Sequence, residues 1–127
     1  MPLTPSVREF LVRLDALLAA KAAPVEPVVT TAHGVALVRL GAVELEIDDR
    51  RVIVRYPPEH VEFTSRDEAL QFLEMIADGR VDLEVARHLL WTTMRSYRDG
   101  QTIPFRRTRM PWPSLRPRTE RTNVSLA

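Results

Sequence analysis

Cysteine is absent from this chain. Disulfides, thiolate metal sites and a cysteine nucleophile are excluded with it. Glycine is scarce: Gly34, Gly41, Gly79 and Gly100 are the whole supply, and each is needed for a turn or a helix cap. No Gly-rich loop is left to cradle a phosphate, and no serine stands in a G-x-S-x-G elbow. Long apolar runs are missing as well. The uncharged part of the first Ala/Leu run, Ala16–Ala20, is bounded by Asp15 and Lys21. It is too short for the apolar region of a signal peptide, and nothing approaches a membrane span. The expectation is a cytoplasmic protein that does not engage membranes.

Amide side chains and lysine are also rare, with one Asn (Asn123), two Gln (Gln71, Gln101) and one Lys (Lys21) beside 17 Arg and ten Pro. Such usage fits a thermophilic protein relieved of heat-labile side chains and floppy loops. A GC-rich genome would produce the same Arg and Pro. Because arginine dominates everywhere, its use in any one segment is no sign of bidentate phosphate recognition.

What the chain does have is charge set apart by position. Residues 1–100 hold 12 basic and 16 acidic side chains, whereas residues 101–127 hold six arginines against Glu120 alone. With 45% hydrophobic and 28% charged residues, the composition suits one globular domain with a proper core. The organisation expected is an acidic α+β domain over residues 1–100, followed by an extended, basic, Pro-rich arm over residues 101–127.

Local patterns fill in that domain. Ser6 with Glu9 makes a capping box for a first helix, and Thr4-Pro5 offers an alternative start with Pro at the first helical position. Val7, Phe10, Leu11, Leu14, Leu17 and Leu18 recur at steps of three and four. Residues 28–64 read as an antiparallel meander of about four strands. Val43, Leu45 and Ile47 alternate with glutamates, then Val52, Val54 and Tyr56 alternate across a tip at Asp49-Arg50. That register sets Ile47 against Val52, Leu45 against Val54, Val43 against Tyr56 and Glu44 against Arg55. Val35–Leu40 forms a further strand, as do Val61 and Phe63. Ser65 and Glu68 open a second helix that closes at Asp78-Gly79. Asp82 then caps a third, over Leu83 to about Arg98, with Leu83, Val85, Ala86, Leu89, Leu90, Met94 and Tyr97 as a broad apolar sector. The fold expected is therefore α+β: a meander packed by an N-terminal and two C-terminal helices, with the arm beyond.

Gly79–Ala86, placed after a strand and a capped helix, resembles a stretch of sterol-carrier-like lipid-binding domains. That resemblance implies an apolar ligand held between sheet and helices. The glycine-bounded strand that follows in the family has no counterpart in a helical reading of Arg87–Arg98.

Chemistry-bearing clusters are few. His33 belongs to a turn, His60 to a strand edge, and His88 follows Glu84 by four residues, which on a helix would make an ordinary surface pair. No second group completes a metal site, so neither metal nor cofactor is expected. Glu44 and Glu46 face Arg51 and Arg55, while Asp48 and Asp49 suit a hairpin tip. These carboxylates read as ion pairs and turn formers, and the protein is not expected to be an enzyme. The arm interleaves cations with aromatics. Arg106, Arg107, Arg109, Trp112, Arg116 and Arg118 are the candidate residues for a partner or anion. Val35, Leu37 and Ile53 among the charges of the outer sheet face call for a cover, from the arm or from a second subunit. The function expected is a non-enzymatic interaction module, a homodimer whose arm holds a partner subunit or an acidic protein. Nucleic-acid binding through the same arm is one alternative, and carriage of a small apolar ligand is the other.

Overall fold

A computed structural model describes Pro2–Leu126. Two compact units form, one running to Asp78 and taking in the chain again from Ser125, the other comprising Gly79–Val124.

The first unit opens with α1 (Pro5–Ala20), continues through strands β1 (Val28–Ala32), β2 (Val35–Leu40), β3 (Val43–Ile47), β4 (Val52–Tyr56) and β5 (Glu59–Phe63), and then α2 (Arg66–Ala77). The strands follow one another as an antiparallel meander. The β3–β4 register sets Glu44 opposite Arg55, Leu45 opposite Val54 and Ile47 opposite Val52, as the alternation requires. Asp48 fixes the turn: its Oδ1 accepts the amides of Arg50 and Arg51 at 2.8 and 2.9 Å, so a short carboxylate replaces missing backbone partners. One sheet face carries Val38, Leu45 and Val54 in a continuous buried row. The Phe72 ring of α2 lies 5.6 Å from Tyr56 and 5.4 Å from Phe63, which seats this helix on that face. Phe10, Leu14 and Leu18 form the buried stripe of α1. Of the two possible starts for α1, the structure takes Thr4 as N-cap with Pro5 first in the helix. Ser6 sits inside the first turn, and its hydroxyl, like that of Thr4, donates to Asp49. For α2 the capping residue is Ser65, whose Oγ accepts the Glu68 amide at 3.3 Å.

The second unit holds β6 (Val81–Arg87), β7 (Thr92–Arg98), β8 (Arg106–Met110) and β9 (Arg118–Asn123). They form one antiparallel sheet in the order β8-β7-β6-β9. Here the fold corrects the sequence reading in three respects. The described residues carry nine strands in two sheets and two helices, where about four strands and three helices were expected. The third helix does not exist: its span is the β6–β7 hairpin. Asp82, expected to cap it, lies inside β6 and accepts from Arg121 and Asn123. And the arm is not simply extended, for it supplies both edge strands of the second sheet.

The physical reason is visible in the pattern. Val81, Leu83 and Val85 alternate with Asp82 and Glu84, a period of two, and Thr92-Thr93 is β-branched, which favours strand over helix. Leu89 and Leu90 hid this by extending an apparent helical stripe, yet they stand exposed at the hairpin tip. The His88 amide donates to the Trp91 carbonyl at 2.8 Å to close that turn. The arm's strands carry no apolar period because they join through backbone bonds. Arg106–Met110 pairs with Thr92–Ser96, and Arg118–Asn123 with Asp82–Arg87.

Charge follows the units more sharply than it follows the arm. Residues 1–78 hold eight basic and 13 acidic side chains, and residues 79–124 hold ten basic and four acidic. Among the described residues no helix is long and apolar enough to cross a membrane.

Candidate functional site

Strand alternation and register decide where the arginines of the second unit point. Arg107, Arg95, Glu84 and Arg121 stand in one row across β8, β7, β6 and β9. Glu84 is engaged: its Oε1 accepts from Arg95 at 3.0 Å and from the Tyr97 hydroxyl at 3.4 Å. Arg121 reaches Asp82 at 3.2 Å and covers the Tyr97 ring, its guanidinium carbon 4.1 Å from the centroid. Arg107 is thus directly opposite Arg95 with no carboxylate of its own. A second like-charge pair, Arg87 opposite Arg118, lies at the hairpin-tip end of β6 and β9, on the opposite face of the sheet from Arg95 and Arg107. Arg118 finds Glu120 at 3.2 Å, and Arg87 has no carboxylate partner. Like charges directly opposite on a sheet destabilise it, so both pairs favour an arriving anion.

The hairpin tip adds apolar surface to this charge. Leu89 is 61% exposed, Leu90 75% and Leu115 96%. Trp91 packs beside His88, ring centroids 5.1 Å apart, and carries the Arg109 guanidinium 4.2 Å over its centroid. The Thr92 hydroxyl donates to the Trp112 carbonyl at 2.9 Å, and the Ser114 amide to the His88 carbonyl at 3.0 Å. These two bonds lay the Pro-rich β8–β9 connection along the tip, where His88, Leu89, Leu90, Trp91 and Pro117 line a shallow groove. Exposed aliphatic side chains and unpaired arginines therefore meet at one end of the sheet.

The six residues singled out from sequence divide accordingly. Arg109, Trp112, Arg116 and Arg118 gather at the tip end. Arg107 shares the face of Arg109 one row further along β8. Arg106, opposite Ser96, and Arg118, opposite Arg87, are on the other face from Arg107 and Arg109. Sequence reasoning missed Arg87, Arg95, Leu89 and Leu90, all assigned to a helix; the alternation of Val81–Val85 was the signal that locates them. At the far end of the sheet Arg80 grips Asp99 through two bonds of 2.5 and 2.9 Å. That guanidinium holds the Asp99 carboxyl below its usual range.

Other candidates stay apart. His33 occupies a left-handed turn position (φ 53°) before Gly34, where histidine is tolerated. His60 is on β5, and Glu84 binds Arg95 instead of sharing a helix face with His88. Among the described residues no group of three or more His, Asp or Glu is placed to hold a metal ion. The helix that was to roof an apolar ligand site, Leu83–Met94, is a hairpin. Comparison with protein-family models, with curated proteins and with solved structures finds no match.

Proposed function

We propose that this protein is a non-enzymatic interaction module that docks an acidic protein surface on its Gly79–Val124 unit. One observation carries the reading: on one face of the sheet Arg107 stands directly opposite Arg95, with Arg109 beside it on the same face. Among the described residues, Arg87, Arg107, Arg109 and Arg116 have no carboxylate within ion-pair distance, while all four acids of this unit are in ion pairs. A partner that brings carboxylates relieves the repulsion and completes the pairing. The exposed Leu89, Leu90 and Leu115 favour a protein over a polynucleotide, because aliphatic side chains offer nothing to phosphates and stack poorly on bases. An acidic segment interspersed with apolar residues satisfies both kinds of surface.

Nucleic acid is the second reading, favoured by the aromatics Trp91 and Phe105 lying under the Arg109 and Arg98 guanidinium groups. Binding of two probes, a peptide alternating Glu with Leu and an oligo-dT of similar length, separates the two. The acidic peptide is expected to bind and to weaken about tenfold, or ~1.4 kcal/mol, on replacing Arg107 and Arg109 together by alanine. Leu89→Ser with Leu90→Ser is expected to weaken it again. Tighter binding of oligo-dT, with a steep salt slope and indifference to the leucine changes, overturns the protein reading in favour of nucleic acid. No binding of either probe overturns both.

A further inference from the structure

The two sheets have four edge strands: β1 and β5 in one, β8 and β9 in the other. An open edge presents unpaired amides and carbonyls to any other strand, and proteins defend such edges with charge. Three of these edges are so defended. β5 carries the exposed His60 and Glu62, β8 carries Arg106, Arg107 and Arg109, and β9 carries Arg118, Glu120 and Arg121. The fourth, β1, reads Val28-Val29-Thr30-Thr31-Ala32, with no charge and β-branched residues at four of five positions. Every one of its residues is exposed. Val28 is 61% exposed on one face and Val29 48% on the other, and Leu37, opposite Thr30 on β2, is 41% exposed. A lone edge strand that leaves apolar side chains open on both faces of its sheet is incomplete as a surface.

We infer that β1 is the interface for a second copy of this chain, pairing antiparallel with its own equivalent about a two-fold axis at Thr30. The sequence is self-complementary in that register. Val28 meets Ala32 of the partner, Val29 meets Thr31, Thr30 meets Thr30, and no charge opposes a like charge. The two meanders then continue as one ten-stranded sheet, with Val29 and its symmetry mate covering the same face. Self-pairing of β8 or β9 about its centre places arginine against arginine or acid against acid, at a cost. β5 paired about Val61 sets His60 against Glu62 and so avoids that clash, but it carries charge on its exposed face where β1 carries none. An isologous pairing also closes after two copies, so it yields a dimer and not a fibre. This inference is independent of the arginine surface and stands if the partner assigned to that surface is wrong.

The absence of cysteine makes the test clean. Directly opposed residues in an antiparallel pair have Cα atoms about 4.5–5.5 Å apart, within disulfide reach. Thr30→Cys in the full chain is expected to give a covalent dimer on mild oxidation. Glu62→Cys on the exposed outer face of β5 serves as control and is expected to remain monomeric under the same conditions. Sedimentation of the unmodified protein at about 100 µM is expected to show a dimer that Thr30→Lys converts to a monomer with an unchanged far-ultraviolet spectrum. A monomer throughout for the unmodified chain overturns the inference. So does cross-linking no faster at position 30 than at 62, or a dimer that survives Thr30→Lys.

Discussion

Asp49 shows how much a single side chain can fix. It sits at the β3–β4 turn and accepts the hydroxyls of Thr4 and Ser6, so one carboxylate ties the start of α1 to a distant hairpin. Those hydroxyl donors hold its carboxyl below the usual 3.8, with the Arg66 charge adding to the effect. Asp99 is held down likewise by Arg80. A carboxyl whose pKa is lower folded than unfolded stabilises the fold above the unfolded value, and that contribution is lost as pH falls through the folded one. Asp49→Asn is therefore expected to lower the melting temperature at pH 7, with the difference closing below about pH 4. Lys21 has the opposite sign. Asp78 and Glu74 raise its pKa above 10.5, so its contribution is present at neutral pH and lost only as pH rises beyond that value. Thermal melts of Asp49→Asn and the parent from pH 2.5 to 8 check the acid limb. The residue scale was also where the sequence was most readable. Ser65 reads as a cap because Glu68 follows at the required spacing, and its replacement by alanine is expected to cost about 1 kcal/mol. Thr4 and Ser6 were both plausible caps, and a tertiary contact with Asp49, invisible in sequence, accompanies the choice between them.

At the level of elements, legibility depended on whether a segment's own pattern was enough. The β3–β4 hairpin was readable from Glu44/Arg55 to Ile47/Val52 because strict alternation and Asp48-Asp49-Arg50 fix both register and turn. The β6–β7 hairpin was not, since its tip is made of Leu89-Leu90 where turn chemistry predicts Gly, Asn or Asp. Exposed leucines at a turn run against the local code, and such conflicts mark functional surface. The hairpin and the discarded helix differ in what two substitutions do. In the hairpin Met94 is buried opposite Val85, so Met94→Ala is expected to cost ~2–5 kcal/mol. Leu90 is solvent-facing, so Leu90→Ser is expected to stay within about 0.5 kcal/mol. A continuous helix with both residues inward would lose stability at both sites. Urea denaturation of the two variants decides between them. The strands β8 and β9 were unreadable for a different reason: an arginine-rich edge strand draws its order from the neighbour it pairs with, and nothing in its own composition announces that neighbour.

For the whole molecule, the boundary that matters is at Asp78/Gly79, where an excess of five acids gives way to an excess of six arginines. The expected arm is thus structural as well as basic. β8 pairs five residues with β7, and β9 pairs six with β6, so the last quarter of the chain flanks the hairpin on both sides. An isolated two-stranded ribbon is marginal in water, whereas a sheet of three or more strands can persist. A chain ending at Gly100 keeps β6 and β7 but loses both neighbours. Its amides over Val81–Arg98 are expected to lose hydrogen-exchange protection, while those of β2, β3 and β4, flanked by their own neighbours, keep theirs. Truncation also removes Leu126, which is buried. Leu126→Ala in the full chain isolates that effect and is expected to leave the β6–β7 amides protected. If Val81–Arg98 stays protected in the shortened chain, β8 and β9 contribute little to the sheet, and their arginines are presented on strands free to leave it for a partner.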